Sequence, residues 1–409
     1  MILSIEGLID GMPNPIRVHD LLNMQIFGVN VGRDIWQSMQ YSLRIGNPGE
    51  ISFAAGSAAY RIIKRGLIYA FGLERLFRQN KYDLVLGNEA AYIEWGIPAR
   101  FAIKHGMPYI RQGNYYLGHQ NLLLRLFTGF DNFLRVSPTL PTDEDSVVLR
   151  NEEGRRPLIG RGRQYLMKRM TKGEITSKEK VDQIKKWFRP GRKTVLVFTN
   201  VCYDASIAYG DRMFPTFEDC MERTYEIAGE TTDVDWIFKT HPSETTMKVN
   251  KYCNTLTHLK TLEKKYPAEH IRIMDNSHGI KTYDLLPFIH CGVSRFGSAG
   301  YELPAMGVPC LTMIKGGYAE LGFTITPSSV SEYIEMLKNI ASIVTPVDRQ
   351  QQETALAYAG LVFDPSRFVN VSELFDTGDS SEESIDPGRL QRWVSKEYNR
   401  NYIKRTLRP

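Results

Sequence analysis

The sequence has too few cysteines, too scattered, to build a framework. Cys202, Cys220, Cys253, Cys291 and Cys310 are odd in number and contain no C-x-x-C pair, which excludes a disulfide-stapled scaffold and a standard zinc site and suits a reducing cytoplasm. No run reaches the roughly 18 apolar residues of a membrane span. The first residues, MILSIEGLIDGMPNPIRVHD, lack the basic start, apolar segment and small-residue cleavage site of a signal peptide. Internal repeats are absent. So is a strong excess of one charge: 51 basic residues stand against 46 acidic, a net charge of +5. No basic region is interleaved with stacking aromatics in a recognisable binding motif, so nucleic acid is set aside. A cytoplasmic protein, able to touch the inner face of the cytoplasmic membrane, is expected.

What is present predicts two α/β domains, since 409 residues exceed one ordinary core. In the first half a helical pattern covers 50–80. The short apolar run YDLVLGNE (82–89), the helical AAYIEWGIPARFAIKHG and a second strand, MPYIRQG, then make a βαβ unit. Residues 150–192 are polar and basic and read as a loop and helix joining the domains. A second alternation follows, with strands in KTVLVFTN, DVDWIFKTHP, IRIMD, IHCGVSR and VPCLTM and helices between them. The expected boundaries are 1–175, 190–375 and 376–409. The last segment holds an acidic loop (376–388) and a basic helix that crosses back to the first domain. The architecture predicted is two facing Rossmann-like domains around a cleft.

Ligands of such sheets bind at the carboxyl ends of the strands. Three segments of the second domain fall there: FTNVCYDAS, KTHPSE and SRFGSAGYELPAMGVP. A strand that exits through Lys239, His241 and Pro242 suits a phosphate site better than a plain turn. Gly297 and Gly300 let backbone N–H groups approach an anion, and Ser298 can cap the helix or bind phosphate. Glu302 lies one turn into that helix, where it can accept from ribose hydroxyls or simply favour the helix dipole. Asn200 belongs with the donor contacts. Asp204, in the same loop, is a fallback base or a donor-sugar contact.

The pair KTHP and SRFGSAGYELPAMGVP resembles the carboxyl-terminal half of GT-B glycosyltransferases that build bacterial capsules and other surface polysaccharides. The His-Pro pair before a serine-bearing helix start is similar, more narrowly, to enzymes using cytidine nucleotides. Among these are bacterial Kdo transferases, GT-B sialyltransferases and the glycerol-phosphate polymerases of teichoic acid synthesis. The resemblance covers about residues 193–325. It implies that His241 contacts the donor phosphate, Ser298 binds it and Glu302 holds the ribose. Several of these families carry paired serines or threonines where this chain reads Gly297-Ser298, so a UDP or GDP sugar stands beside a CMP sugar as donor.

Such an enzyme needs no metal or other cofactor if protein cations stabilise the departing phosphate. The general base is expected from the first domain. Glu89 is the leading candidate and Glu94, buried in the following helical pattern, the weaker one; Asn88 and Glu89 could equally cap that helix. Asp233 and Asp235 (the DVD stretch) read as a solvated turn at the wrong end of the sheet. His278, His290 and Cys291 match no zinc spacing, and RFGSAG is no dinucleotide fingerprint. The acceptor expected is a surface polysaccharide or lipid-linked glycan. The tail supplies Arg389, Arg392, Lys396, Arg400, Lys404, Arg405 and Arg408 against Glu397, with Trp393, Tyr398, Tyr402, Ile403 and Leu407 among them. It predicts peripheral contact with anionic membranes. Two other readings compete: a sugar-nucleotide epimerase of the same shape, and a non-catalytic nucleotide-binding partner of an export machine.

Overall fold

The computed structural model describes residues 2–113, 121–127, 143–171, 176–201, 211–214, 216–241, 244, 255–295, 297–315, 317–343, 345–364, 367, 369–370 and 387–406. The chain forms two compact units, Met1–Met39 with Gly49–Pro138 and Phe363–Pro409, and Gln40–Pro48 with Thr139–Val362.

In the first unit, helix α1 (Gly32–Leu43) carries the fully buried Asp34. Its Oδ2 accepts from Arg100 Nε at 2.8 Å, which offsets much of the cost of burying a carboxylate. Helix α2 (Ala58–Gln79) starts later than its apolar spacing predicts. Glu50–Ile51 pair with Ile16–Arg17 instead, Gly56 turns the chain at φ +79°, and Ser57 Oγ caps the helix by accepting from Tyr60 N at 3.1 Å. Strand β1 (Val85–Gly87), helix α3 (Ile97–Lys104) and strand β2 (Tyr109–Gly113) form the expected parallel βαβ unit, Val85 opposite Tyr109. A single π-helical turn, Tyr92–Gly96, precedes α3. Strand β3 (Asn121–Phe127) then pairs antiparallel with β2, so this sheet is mixed.

In the second unit a helix over Asp143–Arg150 is followed by α4 (Glu152–Thr171). Residues 150–192 are thus no interdomain linker of loop and helix: most of them are helical and belong to this unit. The unit is built around β4 (Lys193–Phe198), α5 (Phe217–Glu230), β5 (Val234–Lys239), α6 (Thr255–Lys265), β6 (Ile271–Met274), β7 (Cys291–Ser294), α7 (Ala299–Ala305) and β8 (Cys310–Thr312). The strands are all parallel in the order β6-β5-β4-β7-β8, that of a Rossmann-type sheet. Both faces are covered. Val195, Val197, Trp236, Phe238 and Val293 pack on one side with α5. Leu196, Ile237, Met274 and Cys310 pack on the other with Leu303 of α7. Strands buried on both faces need continuous apolar runs, which is why VLVF and WIF are legible as strands.

Helices α8 (Val330–Lys338) and α9 (Arg349–Val362) complete the unit. A Cβ on Gly162 of α4 would lie 1.9 Å from the Leu356 carbonyl oxygen of α9, and one on Gly360 would lie 2.1 Å from that of Leu158. The two backbones therefore meet directly through glycine, a contact that leaves no apolar stripe in the sequence. Cys220, Cys291 and Cys310 are buried free thiols. Burial pushes Cys220 up to about 11 and Cys291 up to about 12.

The C-terminal segment returns to the first unit, as expected. Strand β9 (Val369–Asn370) pairs with β3. The expected single last helix is two, α10 (Pro387–Ser395) and α11 (Glu397–Thr406). They part where Ser395 Oγ donates to the Arg392 carbonyl and Asn399 Nδ2 donates to that of Trp393 at 2.8 Å. Trp393 and Tyr402 are buried rather than available to a membrane. Residues 376–386 of the acidic loop lie outside the described residues, while Pro387 and Gly388 begin α10.

Gly162→Val should lower the thermal midpoint by about 5–10 °C, because overpacking costs about 1–3 kcal/mol in a unit of this size. A midpoint unchanged in scanning calorimetry would show that α4 and α9 can part without loss.

Candidate functional site

Three strands of the second unit end at one level. Lys239 and Ser294 are both in register with Phe198, so the residues after β4, β5 and β7 emerge side by side, about 4.8 Å per strand. Between β4 and β7 the strand order reverses, which is the switch point where ligands of such sheets sit.

Lys239 is the last residue of β5 and only 6% exposed. Its ammonium makes no hydrogen bond or ion pair among the described residues, and burial alone pulls its pKa below the usual lysine range. Beside it, Thr199 donates its backbone N–H to the Lys239 carbonyl at 3.1 Å, while its buried Oγ1 has no partner among the described residues. Arg295 follows β7 and is also buried. Burial lowers its pKa, and the charge of Glu218 pulls it partly back. Two buried cations and a buried hydroxyl thus stand at the ends of neighbouring strands on the carboxyl edge, where an anion would relieve the desolvation cost of a buried cation.

The other expected residues are placed as follows. His241 is half-buried just beyond Lys239, and its carbonyl accepts from Glu244 N at 3.1 Å. Glu244 ties this turn to the start of α6, its Oε1 accepting from both Thr255 Oγ1 and Thr255 N. Pro242 and Asp204 lie outside the described residues, and Asn200 is half-buried after β4. Ser298 stands at the N-terminus of α7 but makes no side-chain cap, and α7 has only seven residues. Gly297 and Gly300 serve Tyr318. Its Oη donates to the Gly297 carbonyl at 3.0 Å, and a Cβ on Gly300 would lie 2.1 Å from that oxygen.

Glu302 is buried and already engaged. Its Oε1 accepts from Tyr165 Oη at 3.1 Å, its Oε2 from Tyr283 Oη at 2.9 Å, and Arg169 Nε lies 3.4 Å away. Burial and the Glu302 charge push both phenols up.

In the first unit, Glu89 pairs with the buried Arg111, and its carbonyl accepts from Tyr109 Oη. Its Oε2 accepts from Ala90 N at 3.3 Å, a weak version of the capping role. Glu94 is not buried as expected; it is about one-third exposed and pairs with Arg65 at 3.1 Å.

Asp235 corrects the reading of the DVD turn. Asp233 is exposed, but Asp235 is buried within β5 and clamped by Arg189 and Arg192. His290 Nδ1 accepts from Thr194 N at 3.0 Å and so has a structural task. Among the described residues no three His, Cys, Asp or Glu side chains converge as metal ligands, and no helix is long and apolar enough to cross a membrane. Thr199 and Arg295 were not singled out from the sequence. The signal available for Arg295 was the same as for Lys239: a cation directly after a buried apolar run.

No family model and no curated protein matches the chain. Among solved structures it is similar to the KpsC beta Kdo 2,7 transferase of Thermosulfurimonas dismutans, at 15% identity and a TM-score of 0.40 over 74% of this chain and 88% of that one. It is also similar to the UDP-GlcNAc 2-epimerase of Neisseria meningitidis bound to UDP-GlcNAc, at 13% identity and a TM-score of 0.36 over 81% and 87%. Likenesses of this size assign neither substrate nor activity.

Lys239 makes a pH-dependent prediction. Burial disfavours its ammonium, so the folded chain holds this proton less tightly than the unfolded chain. The resulting destabilisation is full below the lowered folded value, fades as pH rises from there toward 10.5, and is gone above it. Lys239→Met should therefore raise the ligand-free midpoint at neutral pH by about 2–6 °C, the gap closing in alkali. A lower midpoint in fluorimetric melts would mean that the ammonium is already satisfied.

Proposed function

We propose that the protein is a glycosyltransferase of the GT-B type. It moves a sugar from a nucleotide-sugar donor to a surface-polysaccharide or lipid-linked glycan acceptor, in the cytoplasm at the inner membrane face. A CMP sugar such as CMP-Kdo is the favoured donor, with UDP and GDP sugars as alternatives. The observation that carries this reading is the buried Lys239, whose ammonium has no partner among the described residues, at the switch point of the second sheet, with Thr199 and Arg295 following the neighbouring strands. A deeply placed cation without a carboxylate partner suits a phosphate that bears charge as it leaves.

In the reaction the bond from the anomeric carbon to the donor phosphate oxygen breaks, and its electron pair stays on that oxygen. Lys239, Arg295 and His241 stabilise the charge, so no metal or other cofactor is required. Ser298 and Asn200 are assigned to the donor. The acceptor hydroxyl forms the new bond and gives its proton to Glu89, with Asp204 as the fallback base. Glu302 can hold a ribose only if Tyr165 and Tyr283 release it or share it. The tail's exposed cations, Arg392, Lys396, Arg400 and Lys404, are assigned an attraction to anionic membrane; its buried Trp393 and Tyr402 add nothing to that contact.

Incubation with CMP-, UDP- and GDP-sugars should release one nucleotide, with transfer to acceptor unaffected by EDTA. His241→Ala should lower turnover at least ~100-fold. Glu89→Gln should abolish transfer yet leave nucleotide affinity unchanged in calorimetry. Sugar interconversion without acceptor would favour the epimerase, and binding without turnover the non-catalytic partner.

A further inference from the structure

We infer that the outward face of α2 is a docking surface for an anionic lipid bilayer. The inference is independent of the donor chemistry. Helix α2 has 22 residues and is about 33 Å long at ~1.5 Å per residue. Its exposed positions Arg61, Arg65, Ile68, Arg75, Leu76 and Arg78 recur mainly at three-, four- and seven-residue steps and so lie along one side of the axis. Ile68 is 40% and Leu76 41% exposed. The opposite side, with Ile63, Leu67, Ala70 and Phe77, is in the core.

Cations outnumber acids on this face, where Lys64 pairs with Glu6 at 2.7 Å. Glu74, the helix's single acid, is buried and held by Lys104 and Arg78 at 2.7 Å and His105 at 3.0 Å. Arg65 shares Glu94 from the π-helical turn at 3.1 Å, and Arg61 bonds the Gly56 carbonyl. Arg75 has no partner among the described residues. Arginines that alternate with bare aliphatic side chains suit the boundary between phosphate headgroups and acyl chains. There the guanidinium stays at the phosphate while its stem and the aliphatic neighbours leave water. A nucleic acid would gain nothing from Ile68 and Leu76. In the basic tail the described aromatic side chains Trp393 and Tyr402 face the core, and Val394 is exposed.

Vesicle flotation of the full chain tests the inference. The wild type should float with phosphatidylglycerol–phosphatidylcholine vesicles, release at high salt, and ignore pure phosphatidylcholine. Ile68→Asp with Leu76→Asp should weaken binding at least ~10-fold although every arginine remains. Charge reversal of Arg61, Arg65, Arg75 and Arg78 to Glu should abolish it. Reversal of Arg392, Lys396, Arg400 and Lys404 removes the tail's added electrostatic attraction, about 1 kcal/mol per cation, but should leave flotation through 61–78 detectable at low salt. Circular dichroism melts check that each variant folds. Independently of any variant, a photoactivatable phosphatidylglycerol should label wild-type peptides within 61–78. Undiminished flotation of the aspartate variant, loss only in the tail variant, labelling elsewhere, or retardation of RNA without flotation would each overturn the assignment.

Discussion

A parallel sheet covered by helices on both faces has no interior position for a charge, since neither side of any strand meets water. The second unit obeys this closely. Between Thr194 and Phe238 the side chains of β4 and β5 are apolar apart from Asp235, which survives near the amino end only because two arginines hold it. Polar chemistry is thereby confined to the ends of strands. Because the strands share one direction, the residues that follow them emerge at one edge. Thr199, Lys239 and Arg295 share that edge for that reason, although up to about a hundred residues separate them along the chain.

The same constraint explains what could be read from the sequence. Continuous apolar runs bounded by turns located each strand of the second sheet, whereas the start of α2 was missed, because its cap Ser57 interrupts an apolar pattern that runs on from 50. Lys239 was legible because a cation at the end of such a run is unusual. Three things left no local trace. Helix α4 packs through Gly162 and carries charges over most of its surface, so its periodicity vanishes. Gly297 and Gly300 look like an anion loop until Tyr318, far along the chain, is seen to hydrogen-bond Gly297 and to fill the space Gly300 leaves. The engagement of Glu302 depends on Tyr165 and Tyr283, which no spacing links to it.

Glu302 and Lys239 represent opposite solutions to the same cost. The carboxylate is surrounded by donors from α4 and from the turn bearing Tyr283, and its charge is spent on architecture. Among the described residues the ammonium has no counter-charge, and its protonated form is held at the expense of stability. Of two buried ionisable groups, the unsatisfied one has more to gain from a ligand.

The buried cysteines give the second sheet a built-in gauge of its own breathing. Cys291 starts β7 and Cys310 starts β8, on strands paired side by side, and Cys220 lies on α5 against Met313. With thiols both shielded and held protonated, modification by an aqueous reagent must wait for the strands or helix to separate. The rate at which each sulfur is captured thus measures how often its surroundings open. Sheet edge and covering helix can then be ranked by local opening free energy, without any added label.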